Sequence, residues 1–240
     1  ELMSVIGVIP ARLDSERFPR KILTPINGKP MVMCVAERAM NASLLDEVII
    51  AVDSEEVYKE IKKSNVKVVM TAKDHLTGSD RIAEVVENRD VDIVVNIQGD
   101  EPMLDPKIID GLVNEFDDSS ISMTTAVSTD ISPKDFFNSN IVKVLLDENR
   151  DAIGFRRDLL QEKIGGWYRH VGLYAYQKDT LLKFAGLPTS DNEKKFHLEQ
   201  LRALDNGIPI RAVITDYPYR GVDVEEDLNV IIKMNKHEKS

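Results

Sequence analysis

"SVIGVIPARLDSERFPRKILTPINGKPM", residues 4–31, joins an unbroken apolar run, Val5–Ile9, to a loop dense in positive charge. Arg12, Arg17, Arg20 and Lys21 follow Pro10 closely, interleaved with Asp14 and Ser15. A strand that is apolar at every position, not at alternate ones, is covered on both faces, as in parallel sheets packed between helices. The pattern repeats along the chain. Apolar spacing predicts helix over Met31–Met40, strand over Glu47–Asp53, helix over Glu55–Lys63, strand over Lys67–Ala72, helix over Asp80–Asn88 and strand over Asp92–Pro102. The order is βαβαβαβ, and the expected fold is α/β with a doubly wound, mostly parallel sheet.

The second half is more mixed. Strands are expected over Ile121–Ser128, Asn140–Asp147, Trp167–Gln177 and Ile208–Thr215, with a helix over Lys194–Gly207 ended by its glycine and a short polar loop over Thr189–Lys195. No linker, repeat or low-complexity tract divides the chain. One domain over 1–240 is therefore expected: a core of about 1–120 and 205–240, and a strand-rich lid of about 121–204.

With 240 residues, 42% of them hydrophobic, the chain is long enough to bury a substantial core. No apolar run approaches the roughly 20 residues that cross a bilayer, so a cytoplasmic protein without membrane partners is expected. Cys34 is the only cysteine and sits in a helical apolar pattern, so it reads as a small core residue. A net charge of −10 argues against a nucleic-acid surface. The basic cluster then reads as a local anion site, with a small, negatively charged partner.

Ligands of doubly wound sheets sit beyond the carboxyl ends of the strands. That rule aligns Ala11–Lys21, Asp53, the Thr71–Arg81 loop and Gln98–Glu101 on one rim. Arg12, Ser15, Arg17 and Lys21 suit a triphosphate, because Arg offers a planar fork, Lys a point charge and the loop its backbone N–H groups. On charge alone a solvated surface is an equal reading. The loop lacks the glycine-rich patterns of P-loop and dinucleotide folds. The carboxylates of Asp100 and Glu101 at a strand end, with Asp223 after another turn, add oxygen ligands suited to Mg²⁺ beside phosphates, although an Asp-Glu pair there also fits a cap or turn. Together these features suggest metal-assisted nucleotidyl transfer.

Eight segments in order, "IPARLDSERFPRK", "INGKPM", "HLTGSDR", "NIQGDEPM", "NIVKVLLD", "RHVGLYAY", "HLEQLRAL" and "GVDVEEDL", span Ile9 to Leu228 and resemble the 3-deoxy-manno-octulosonate cytidylyltransferase (CMP-Kdo synthetase) family. The resemblance implies a Rossmann-like sheet of the nucleotide-diphospho-sugar transferase kind, with a dimerising lobe and a homodimer. It also implies transfer of CMP from CTP to the anomeric hydroxyl of an eight-carbon acidic sugar, with release of pyrophosphate, in the synthesis of lipopolysaccharide or a related surface polysaccharide. By the resemblance Arg12, Ser15, Arg17 and Lys21 take the CTP phosphates, and Pro10, Ala11 and the His75–Arg81 loop, with His75, Ser79, Asp80 and Arg81, close on the base. Asp100 and Asp223 hold Mg²⁺, Arg12, Lys21 and Asp100 form the catalytic set, and Gln98, Arg157, His170, Tyr174, Glu199 and Gln200 line the acceptor pocket. From the residues alone the better reading of His170 and Tyr174 is a core strand face, and of Glu199–Gln200 a solvated helix face.

One segment departs from the family pattern. "AIGFRRDLLQEKIGGWYRH" (Ala152–His170) carries Arg156 where the family has Ser, lacks the usual Ile-Pro, and is short. Arg156 beside Arg157 raises a second possibility, a more anionic acceptor such as an amino-substituted Kdo, a nonulosonic acid or a phosphonate. A nucleotide-binding module without turnover fits less well, because the basic loop, the carboxylates and the pocket set occur together. A glycosyltransferase fits less well because "QGDEP" is not an Asp-x-Asp motif.

Overall fold

The computed structural model describes residues 3–13, 18–163, 165–218, 221–222 and 225–237. The first half runs β1 (Val5–Ala11), a hairpin of β2 (Pro25–Ile26) and β3 (Lys29–Pro30), α1 (Met31–Ala39), β4 (Glu47–Val52), α2 (Glu55–Ile61), β5 (Lys67–Met70), α3 (Gly78–Val86), β6 (Ile93–Asn96) and α4 (Pro106–Asn114). The second half runs β7 (Met123–Ser128), β8 (Lys143–Leu146), β9 (Ala152–Arg156), β10 (Trp167–Gln177), α5 (Lys178–Ala185), α6 (Asp191–Phe196), α7 (Leu201–Asp205), β11 (Arg211–Thr215) and α8 (Glu225–His237).

One sheet carries both halves, in the order β11-β7-β10-β6-β1-β4-β5, with β8 and β9 branching from β10. β6, β1, β4 and β5 are parallel, as the βαβ repeats require, and so are β7 and β11. β10 enters between β6 and β7 antiparallel to both. Alternate residues explain the two-sided covering. Ile9, Ile50 and Val95 pack with α1, α2 and α4, while Ile6, Val8, Ile49 and Val94 pack with α3, α5 and α7. Each fully buried aliphatic side chain of this kind contributes about 1.5–3 kcal/mol.

The register of β10 builds the lid. Tyr174 pairs with Asn96, the last residue of β6, so Trp167–Leu173 overhang the rim and there pair with β7 and β8. A register shift between Val171 and Tyr174 bends the strand where it leaves the core.

Several sequence expectations need correction. The strand expected over Asp92–Pro102 stops at Asn96, and Gln98–Glu101 lie in the loop that follows. The helix expected over Lys194–Gly207 is two helices, α6 and α7, broken at His197, whose φ of 53° puts it in the left-handed region. The stretch expected as a loop over Thr189–Lys195 opens α6 instead, because Ser190 and Glu193 form a reciprocal capping box. β9, α4, α5 and α8 were not anticipated from the apolar pattern.

Candidate active site

Three distant segments meet beyond β1 and β6. Lys21 opens a short 3₁₀ turn, and its Nζ donates to Asp100 Oδ2 at 2.5 Å and to the Val222 carbonyl at 2.9 Å. The Val222 N–H donates in turn to the Asp100 carbonyl at 2.9 Å. The preceding Gly221 lies so close to buried Glu101 that a Cβ there would stand 3.0 Å from Oε1, so a larger residue would require the Glu101 carboxylate to shift. Sequence reasoning placed Asp100 and Asp223 together; Val222, the neighbour of Asp223, is held at Asp100, while Asp223, like Ser15 and Arg17, lies outside the described residues. Arg12 is exposed at the end of β1. Arg20 instead pairs with Glu56 on the surface.

The opposite wall is the turn into α3. Thr77 and Asp80 cap the helix reciprocally, the Thr77 N–H and the Asp80 N–H each donating over 3.1 Å to the other's side chain. Gly78 packs on Pro10, where an added Cβ would sit 3.2 Å from its Cγ. His75 bonds Glu84, which also accepts the Ala72 N–H at 3.0 Å. Burial pushes the Glu84 carboxyl up, but these bonds outweigh it and hold it below the ordinary range. Arg81 is buried, and its guanidinium donates to the Thr71 hydroxyl, to the Ala72 carbonyl at 3.0 Å and to Asp53 Oδ2 at 3.1 Å. Asp53 Oδ1 accepts the Leu13 N–H at 3.1 Å.

Asp53 and Arg81 thus bridge the loop after β1 to the loop before α3, and Arg81, expected to close on the base, spends these donors holding the turn. Asp53→Asn keeps the shape and neutralises the bridge, so it is expected to lower unfolding free energy by about 1.5–3 kcal/mol. An unchanged urea midpoint would contradict the bridge.

At the end of β6 a cleft is lined by Ser79, Asn96, Gln98, Tyr174, Glu199 and Gln200. Four of the six residues expected in the acceptor pocket are therefore brought together. Ser79, expected at the nucleotide, joins them. Gln98 Nε2 donates to Asn96 Oδ1 at 3.2 Å. Glu199 Oε1 is buried without a hydrogen-bond partner among the described residues, with Arg202 at 4.0 Å, and burial raises its carboxyl pKa. His170 does not line the cleft; it stands behind it, its Nε2 sharing bonds with Tyr174 Oη at 3.0 Å and Thr125 Oγ1 at 3.1 Å. Burial pushes the imidazole down to about 3, so it is neutral and orients the tyrosine.

Arg157 also stands outside the cleft wall, donating to the Ser139 carbonyl at 3.3 Å and the His197 carbonyl at 3.0 Å. Arg156 turns back into the lid: Nε donates to Glu162 at 3.1 Å and the guanidinium lies 4.9 Å over Phe196. Its charge is answered within the lid, which removes the sequence argument for a more anionic acceptor. Sequence reasoning missed Asn96 and Thr125. Asn96 had a signal, a polar residue closing an apolar run; Thr125 had none, because one threonine in a strand is ordinary.

A family model described as "Cytidylyltransferase" matches residues 6–211. The 3-deoxy-manno-octulosonate cytidylyltransferase of Solibacter usitatus is 44% identical, covering 97% of this chain and 94% of its own. That of Geobacter metallireducens is 42% identical, covering 96% and 97%. A solved CMP:2-keto-3-deoxy-manno-octonic acid synthetase complexed with CTP superposes with a TM-score of 0.93 at 34% identity, covering 98% of this chain and 99% of that one. A 4-diphosphocytidyl-2C-methyl-D-erythritol synthase from Anaerococcus prevotii, at 13% identity and a TM-score of 0.64, shares the fold. With its rim, overhanging lid and cleft matched over nearly its full length, the chain belongs to the 3-deoxy-manno-octulosonate cytidylyltransferase family.

Proposed function

We propose that this protein transfers CMP from CTP to the anomeric hydroxyl of 3-deoxy-D-manno-octulosonate (Kdo), releasing pyrophosphate. The observation that carries the proposal is the meeting, at one rim, of the Lys21–Asp100–Val222 knot with the cleft of Gln98, Tyr174, Glu199 and Gln200. CTP lies along the loop after β1, its phosphates toward Arg12, Ser15, Arg17 and Lys21. The base lies against Pro10, Ala11 and the turn into α3, where His75, Asp80 and Arg81 hold the turn through their own hydrogen bonds.

Asp100 and Asp223 suit Mg²⁺, which takes one or two carboxylates and fills its other positions with phosphate oxygens and water. Asp100 fits, with 28% of its side chain exposed at the knot and Lys21 covering only one flank. Bound Mg²⁺ supplies positive charge to the phosphate oxygens. The anomeric hydroxyl gives up its proton to solvent as its oxygen bonds to the α-phosphorus and the bond to the pyrophosphate oxygen breaks, and the protein's part is to position and neutralise. Gln98, Tyr174, Glu199 and Gln200 orient the sugar from the cleft, with His170 behind the tyrosine, and Arg157, seated beside the cleft on the Ser139 and His197 carbonyls, turns its other N–H donors to the sugar carboxylate.

Core and lid divide as about 1–120 with 205–240, and about 121–204. A homodimer through the lid belongs to the proposal, supported by exposed Phe137, Ile153 and Leu160 there. Among the described residues no helix is long and apolar enough to cross a membrane.

Initial rates of pyrophosphate release with CTP, Mg²⁺ and a panel of acidic sugars test the assignment. Kdo is expected to be used best, and preference for another acceptor would overturn it. Arg17→Ala is expected to weaken CTP binding roughly 10- to 100-fold, because a lost charge-assisted contact costs about 1.5–3 kcal/mol. Unchanged CTP affinity by calorimetry would make the loop a solvated surface.

A further inference from the structure

Lys143, on β8, is fully buried, yet the transfer reaction makes no use of it. A buried ammonium is costly unless its donors are satisfied. Here all three find backbone carbonyls: Nζ donates to Asn138 at 2.7 Å, Ile141 at 2.6 Å and Arg157 at 2.5 Å. Two of these close the turn that contains Ser139, and the third is the backbone of Arg157. The Arg157 side chain then rests on the Ser139 and His197 carbonyls. His197 is the left-handed residue that breaks α6 from α7, two residues before Glu199. One amine therefore fixes both the arginine and the turn it leans on, and through His197 the segment that walls the cleft.

We propose that Lys143 is a positioning residue for the acceptor site, holding Arg157 and the His197–Gln200 wall in place so that acceptor affinity depends on its three bonds while CTP affinity does not. This rests on Arg157 and Glu199–Gln200 serving the acceptor. The ionisation of the amine supplies a second handle. Burial, the largest cause, with Arg157 and Arg169 pushes the amine down, Asp158 and Asp135 pull it up, and the result is about 8. A neutral amine has two N–H donors and a lone pair, so one of the three carbonyls loses its bond. Because the pKa lies below the ordinary 10.5, this group makes the fold more stable as pH rises from about 8 to 10.5. Acceptor positioning is expected to loosen over the same range. A role in stability alone would not produce these opposite trends.

Lys143→Met keeps the stem and removes the donors. At saturating CTP and Mg²⁺ it is expected to raise the KM for Kdo roughly tenfold, the order of one lost hydrogen bond to a charged group, with the KM for CTP unchanged. An unchanged Kdo KM in the folded variant overturns the proposal. Arg157→Ala separates the two levels. If it leaves the Kdo KM untouched, the acceptor assignment itself fails; if it raises the Kdo KM while Lys143→Met does not, only the role of Lys143 fails. Should Lys143→Met not fold, the wild-type protein decides: a Kdo KM that climbs above pH 8 while the CTP KM holds and Tm does not fall supports the proposal, and a flat Kdo KM from pH 7 to 9.5 overturns it.

Discussion

Asp100→Asn is expected to lower turnover of CTP and Kdo by about 10²–10³-fold while the protein stays folded. The substitution keeps the volume of the side chain and removes the negative charge that suits a divalent cation beside phosphates. Loss of one preorganised charge-stabilising group typically costs on that order. Stability is expected to move by less than about 1 kcal/mol, because the Lys21–Asp100 pair is partly exposed and such pairs contribute little. The backbone bond from Val222 to the Asp100 carbonyl survives the change, so the knot keeps its shape. Pyrophosphate release at saturating Mg²⁺, alongside a thermal melt, checks both halves. Retention of more than a tenth of the wild-type rate would remove Asp100 from the metal site.

Arg202→Met is expected to cost about 3–5 kcal/mol of unfolding free energy, the range for stripping one partner from a buried ion pair. Arg202 holds Glu193 in a two-pronged contact, 2.8 Å from Nε and 2.6 Å from one terminal nitrogen, with 5% and 10% of the two side chains exposed. Glu193 also completes the capping box of α6, and Arg202 stands 4.0 Å from the buried oxygen of Glu199. Removing it leaves one carboxylate unpaired and a second without its counter-charge at the acceptor cleft. Adding Glu193→Gln to the variant is expected to recover part of the loss, since no unpaired charge then remains at that position. Urea unfolding measures the change, and a loss below about 1 kcal/mol would show that the pair is not held together as described.

What the sequence disclosed followed from backbone chemistry. The unbroken runs at Val5–Ile9 and Glu47–Asp53 could only be strands covered twice, and β1, β4, β5 and β6 are parallel with helices on both faces. Trp167–Gln177 was read to the residue because its apolar and aromatic positions leave no helical alternative. The failures came where polar residues carry the structure. Ser190 to Glu193 looked like a loop by composition, although the spacing of serine and glutamate is a capping signal. The break at His197 has no sequence mark, because a left-handed histidine is fixed by its neighbours and not by its own preference.

The candidate site divides the same way. The grouping of Gln98, Tyr174, Glu199 and Gln200 came from the family resemblance; composition alone left them as core or surface. The register of β10 against β6 is what gathers them. Arg81 came from the resemblance as part of the loop that closes on the base, and no pattern in the sequence says that Asp53 and two loop acceptors claim its guanidinium. Lys143 did carry a signal, a lone charge inside "IVKVLL", since a lysine is almost never fully buried unless its amine is satisfied.

Following the reaction of CTP, Mg²⁺ and Kdo by ³¹P NMR shows whether CMP is joined to the sugar. Loss of the CTP signals is expected with equal formation of pyrophosphate and of a single phosphodiester resonance, that of CMP joined to the anomeric oxygen of Kdo, and no pyrophosphate is expected when Kdo is left out. Pyrophosphate formed at the same rate without Kdo, or Kdo left unmodified while CTP is consumed, would contradict that transfer.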